Sequence, residues 1–197
     1  KRTAAISALA AQFMSKKIIE TACFIGCGVQ ACSHLKIFSD LYPIKEIYIL
    51  GRGLSNQIKL KQIAEARGIR TIIAESGADA IKHADLIVTS IPDSLNMTPF
   101  LSAYDVKAGA FITMVDLARS WIPETLDQFG CIIIDDKAQE ANMKPPMLDL
   151  ELVNGDLSDL VNALITVSDG PDKCSALIFW IEPSSNLEIN TLIFSSL

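Results

Sequence analysis

A chain of 197 residues can bury one full core, so a single domain with an appendage is the expected size. Seventeen basic against 23 acidic side chains leave a net charge of −6, with no basic block, which argues against nucleic acid as a partner. Half the residues are hydrophobic and few are aromatic, the composition of a parallel sheet covered on both faces, and no apolar run reaches the ~18 residues of a membrane helix.

Thr3–Met14 carries apolar residues at helical intervals and predicts a helix leading into a first strand, Thr21–Ile25. A helix over Val29–Leu41 follows and is stopped by Pro43. Glu46–Leu50 reads as a second strand, and Ser55–Arg67 as a helix ended by Gly68. Arg70–Ala74 is a third short strand. Ser76-x-x-Asp79 has the form of a helix N-terminus, with the helix running to about His83. Leu86–Ser90 is a fourth strand closed by Pro92, Ala110–Val115 a fifth and Cys131–Asp135 a sixth, with a Pro123–Phe129 helix between the last two. Beyond Pro145-Pro146 the pattern thins, although Ser185-x-x-Glu188 resembles a capping box for a final helix, Asn186–Phe194.

Strands alternating with helices at this spacing predict an α/β fold with a doubly wound, parallel, Rossmann-type sheet. Right-handed crossovers give the expected strand order 3-2-1-4-5-6. Residues 1–18 read as a linking helix, 19–160 as the dinucleotide-binding domain, and 161–197 as a C-terminal extension.

Lys1-Arg2 ahead of Ala4–Phe13 superficially looks like a secretory signal. The stretch is mostly alanine, however, and Lys16-Lys17 stand where a cleavage site would fall. With no initiator Met, the expectation is a chain that starts partway through a longer protein. Five cysteines form no Cys-x-x-Cys pair and sit in core-like segments, as reduced thiols of a cytoplasmic protein would. The two histidines, His34 and His83, each fall on helical segments without metal-ligand spacing, so no metal is expected.

The most informative segment is Ala22-Cys-Phe-Ile-Gly26-Cys-Gly28-Val-Gln-Ala31. A short apolar strand, a Gly-x-Gly-x-x-Ala turn and a helix are the order a dinucleotide pyrophosphate needs. Gly26 permits the tight turn, Gly28 lets backbone approach phosphate, and Ala31 allows close helix packing. The first helical residues, Val29 and Gln30, supply free N–H groups at the positive dipole end.

In such a sheet, ligands sit past the carboxyl ends of the strands. After strand two, an NAD binder usually has an acid to grip the ribose hydroxyls; this chain has Gly51-Arg52-Gly53-Leu54-Ser55. Arg52 with Ser55 therefore reads as a clamp for a 2′-phosphate, favouring NADP over NAD. After strand four, Thr89-Ser90-Ile91-Pro92 offers hydroxyls to ribose or phosphate, though turn chemistry alone also places Ser and Pro there. Asp116 directly follows the apolar Phe111–Val115, so its carboxylate emerges where a nicotinamide should lie. It reads as a proton-transfer group, with a turn cap as the alternative.

Arg2–Ala11 together with Ile25–Ala31 closely resembles the ornithine cyclodeaminase/mu-crystallin family of NAD(P)-dependent enzymes and their relatives, which act on amino acids and cyclic imines. The resemblance runs to about Leu157. It implies that Arg2 anchors a substrate α-carboxylate, that Thr3 contacts cofactor phosphate, and that Asp116 is catalytic. It also implies a substrate-binding, dimer-forming domain ahead of this chain, so that the full-length protein would be a homodimer and this chain alone would bind cofactor without turnover. After the aspartate the family usually has Pro-Gly-Lys and then Glu; here Arg119, one position early, takes the lysine's place as a substrate-binding residue, and Trp121 replaces the acid. Two enzymatic versions follow from the resemblance, cyclisation of an amino acid with loss of ammonia and reduction of a cyclic ketimine. The non-catalytic alternative is an NADP-binding protein of the mu-crystallin type.

Overall fold

The computed structural model describes residues 2–15, 18–92, 97–137, 149–164 and 174–179. Its centre is an eight-stranded, wholly parallel sheet: β1 Thr21–Ile25, β2 Glu46–Leu50, β3 Arg70–Ile73, β4 Leu86–Thr89, β5 Phe111–Met114, β6 Cys131–Ile134, β7 Gly155–Asp156 and β8 Ser175–Ile178. Among the described residues the α-helices are α1 Arg2–Met14, α2 Val29–Leu41, α3 Leu54–Glu65, α4 Gly77–Ile81 and α5 Leu157–Val161.

The central strands alternate strictly between two cores, which is why they read as continuous apolar runs. Ala22 and Phe24 of β1 point to one face, with Leu35 and Phe38 of α2, Leu60 of α3 and Leu160 of α5. Cys23 and Ile25 point to the other, with Ala80 and Ile81 of α4, Trp121 and Leu126. Both faces are covered, as a parallel sheet requires. Below β1, the buried Asp85 carboxylate accepts the backbone N–H groups of Glu20 and Thr21 and pairs with Lys107 at 2.6 Å, tying the starts of β1, β4 and β5 together.

The expected order 3-2-1-4-5-6 holds only as far as β5. The observed order is β3-β2-β1-β4-β5-β8-β6-β7. Ser175–Ile178 inserts between β5 and β6, pairing with Phe111–Met114 on one side and Cys131–Ile134 on the other. The sheet therefore extends past residue 160, into the segment 161–197 that reads from sequence as an extension. The apolar run Ala176–Ile181 has no periodicity that tells a buried strand from a buried helix segment, and only the long-range pairing reveals Ser175–Ile178 as a strand.

The Pro123–Phe129 helix is a 3-10 helix over Pro123–Gln128, with the Thr125 hydroxyl bonded back to the Ile122 carbonyl at 2.8 Å. The helix opened by Ser76 ends at Ile81, and His83 packs in a tilted ring contact against Tyr48. The final helix expected over Asn186–Phe194 lies outside the described residues. Among those residues no helix is long and apolar enough to cross a membrane.

Candidate functional site

β1 is flanked by β2 on one side and β4 on the other, so the strand order reverses at this point and a crevice opens at the carboxyl ends. Gly26 leaves β1 with φ +90°, and its N–H donates to the Leu50 carbonyl at 2.7 Å. A Cβ on Gly26 would lie 2.7 Å from the Ser90 carbonyl oxygen, so only glycine fits between the β1 and β4 exits. Gly28 differs. It is the N-cap of α2 at φ −79°, and a Cβ there would meet nothing within 4 Å. The space above it is an open approach to the first N–H groups of α2.

That approach belongs to a cleft of about 610 Å³ walled by the glycine loop, by Leu50–Gly53 and Asn56, and by Ser90–Pro92 with Met97, Thr98 and Phe100. A cradle of unsubstituted backbone at a helix N-terminus, with a roomy crevice beside it, fits a dinucleotide. The second loop is held in place by Gln57, whose side-chain amide donates to the Gly51 carbonyl at 2.5 Å. A Cβ on Gly51 would lie 2.9 Å from Cys27 Sγ, so the two loops are in contact. Arg52 is exposed at the cleft wall, while Ser55 is exposed but does not line it; the next residue, Asn56, does.

Asp116 is buried, with only 5% of its surface exposed. Thr89 Oγ1 donates to its Oδ1 at 2.6 Å and Ser120 Oγ to its Oδ2 at 2.7 Å. Burial pushes the carboxyl above its usual range, and these hydroxyls, with backbone N–H groups of Asp116 itself and of Ile91, pull it part of the way back. Ile91 lines the cleft, so the carboxylate sits one residue behind its wall. Thr89, expected to meet cofactor, is fully buried and bonded to Asp116 instead.

The chain after Asp116 turns through Leu117 at φ 60° and Ala118 at φ 58°, and the Arg119 N–H closes the turn on the Asp116 carbonyl at 3.2 Å. Two left-handed non-glycine residues in succession form a type I′ turn, which ordinarily calls for Asn or Gly. Trp121, in the position of the expected acid, is fully buried, edge-on to Phe129.

Arg2 is exposed at the start of α1 and Thr3 half-buried beside it. Neither they nor Val29, Gln30 and Arg119 line the cleft. Helix α1 is instead tied to the site through a buried network: the Ser7 hydroxyl lies 2.9 Å from both Thr113 Oγ1 and His34 Nε2, and His34 Nδ1 donates to the Gln30 carbonyl at 2.8 Å. Burial pushes His34 down to about 4, so it is neutral and accepts from Ser7. Asn56, Ser120 and the Met97–Phe100 wall were not identified from sequence, because no local motif marks them. Among the described residues no cluster of His, Cys, Asp or Glu could hold a metal ion.

Sheet, switch point and glycine cradle define a Rossmann-type dinucleotide-binding domain. The chain belongs to the ornithine cyclodeaminase/mu-crystallin family, whose pattern matches residues 1–121. It is 34% identical over 143 residues to the ketimine reductase mu-crystallin of Macropus fuliginosus, covering 72% of this chain and 44% of that protein. It is 27% identical over 169 residues to the nodulation efficiency protein NfeD of Rhizobium meliloti, covering 84% and 52%. In fold it is similar to the Thermococcus litoralis Δ1-pyrroline-2-carboxylate reductase solved with NADH and L-proline (TM-score 0.76, 19% identity, covering 90% of this chain and 58% of that one). An archaeal alanine dehydrogenase dimer with bound NAD is similarly close (TM-score 0.78, 21% identity, covering 90% and 57%). The chain spans about half the length of these relatives.

Proposed function

We propose that this chain is the cofactor-binding part of an NAD(P)-dependent imine reductase acting on a cyclic ketimine carboxylate or a related imine. The observation that carries this reading is the open backbone cradle at Gly28, set at the switch point with Arg52 on one side and Asp116 behind the other. The ketimine reductase name of its relatives and the proline-bound pyrroline-2-carboxylate reductase of similar fold support it.

In this reading the glycine loop and the α2 N-terminus bind the pyrophosphate. Arg52, with Asn56, pairs with a 2′-phosphate and so favours NADP, the fork of the guanidinium suiting a phosphate oxygen pair. A bound reduced nicotinamide supplies hydride to the imine carbon. Asp116 delivers a proton to the imine nitrogen, so that C=N becomes CH–NH and the carboxyl is left ionised. A carboxyl held above its usual range by burial keeps that proton closer to neutral pH. Arg2 anchors the substrate carboxylate, and Arg119 adds positive charge near it. The full-length protein is a homodimer in the reducing cytoplasm, in keeping with five buried free cysteines.

One observation favours a second reading, binding without turnover: both Asp116 oxygens already accept hydroxyls and the group is buried. The full-length protein assayed with NADPH, cyclic ketimine carboxylates and ornithine separates these readings. Net NADPH oxidation with a ketimine supports the reductase. Ammonia release without net cofactor change identifies a cyclodeaminase, and tight NADPH binding with neither identifies a binding protein.

A further inference from the structure

Asp116 lies two residues past the end of β5, and a lone carboxylate there would be free to rotate about its broad terminal torsion. In this structure it is not free. Thr89 comes from the end of β4, and Ser120 from the far side of the type I′ turn that Asp116 itself begins. Each hydroxyl donor is fully buried and takes one carboxylate oxygen. Each is also fastened to a wall of the cleft. Thr89 is followed directly by Ser90 and Ile91, which line it, and the Ser120 carbonyl accepts the N–H groups of Phe100 and Leu101 at 2.9 Å, Phe100 being another wall residue.

We propose that Thr89 and Ser120 are positioning residues for Asp116, fixing the plane of its carboxyl relative to the cleft and setting the pH at which it gives up its proton. The inference rests on the acid–base reading of Asp116 given above. Its physical basis is twofold. A misplacement of about 1 Å in a reacting group can cost about a hundredfold in rate. A hydroxyl donating to a carboxylate also favours the charged form, so removing the donor raises the pH at which the carboxyl ionises. A turn cap would need neither property.

The test uses the full-length protein and the isosteric variants Thr89→Val and Ser120→Ala, with Thr89→Ser as rescue and Asp116→Asn as reference. In protein labelled with 13C-aspartate and free of cofactor, the Asp116 carboxyl resonance should titrate about one pH unit higher in each of the first two variants. In the imine-reducing direction the alkaline limb of the rate should move upward by the same amount. The rate itself should fall about tenfold, while NADPH affinity changes less than twofold. Thr89→Ser should restore both parent values. Unchanged titration and unchanged rate in Thr89→Val and Ser120→Ala, with Asp116→Asn inactive, overturn the positioning role alone. Full turnover by Asp116→Asn overturns the acid–base reading beneath it.

Discussion

The α-carbon of Gly26 and the carbonyl of Ser90 approach so closely that an added Cβ would sit 2.7 Å from the oxygen. The loop after β1 and the segment after β4 are therefore in backbone contact, whereas Gly28, two residues on, faces open space. The two glycines of one motif consequently fail in different ways. Gly26→Ala combines a backbone clash with a left-handed φ and should destabilise the fold by more than about 1 kcal/mol. Gly28→Val should melt close to the parent but lose at least about tenfold in dinucleotide affinity, because its side chain fills the phosphate approach. Thermal melts alongside NADPH titration check both; unchanged affinity in folded Gly28→Val would refute the assignment of this loop.

Arg52 is exposed at the cleft wall and no acid stands beside it in the Gly51–Ser55 loop. Arg52→Ala should weaken NADPH about tenfold to a hundredfold, the loss of a charge-assisted bond to phosphate of about 1.5–3 kcal/mol. NADH affinity should hardly change. Equal losses for the two cofactors, measured by fluorescence titration, would show that Arg52 does not read the 2′-phosphate.

His34 is buried, neutral and held down to about 4 by desolvation. In the unfolded chain it protonates near pH 6.5, so below that pH the unfolded state binds a proton that the folded state refuses. Its contribution to stability should be intact above about pH 6.5 and decline between there and pH 4, by about 3 kcal/mol in all. In His34→Gln this part of the pH dependence should vanish. Urea denaturation at pH 7 and pH 4.5, compared for parent and variant, measures the difference.

The turn after Asp116 holds Ala118 at φ 58°. Ala118→Gly relieves a left-handed conformation costing about 1 kcal/mol, so it should raise the melting temperature by about 2–4 °C. Both side chains pack against the core, and Leu117 is the poorer place to test the same strain because its larger side chain has more packing to lose. A lower melting temperature for Ala118→Gly would mean that the methyl group's packing outweighs the backbone strain.

What the sequence by itself determined is whatever a short stretch of chain can express. Residues 21–41 could be read as strand, glycine turn and dinucleotide helix because all three signals lie within one contiguous segment. Strand ends such as Leu50 and Val115 marked Arg52 and Asp116 as site candidates for the same reason. Tertiary structure decided the rest. Ser175–Ile178 became a central strand only through pairing with β5 and β6, and Asn56 lines the cleft where Ser55 does not, because the pitch of α3 decides which side chain meets it. Thr89 moved from expected cofactor ligand to partner of Asp116, 27 residues away. Ser7, His34 and Thr113 meet across separations of 27 and 106 residues, for which no spacing rule exists. Local signals specify backbone conformation, while hydrogen-bond partners in a buried polar cluster are chosen by packing, because a desolvated polar group must pair with whatever the fold brings beside it.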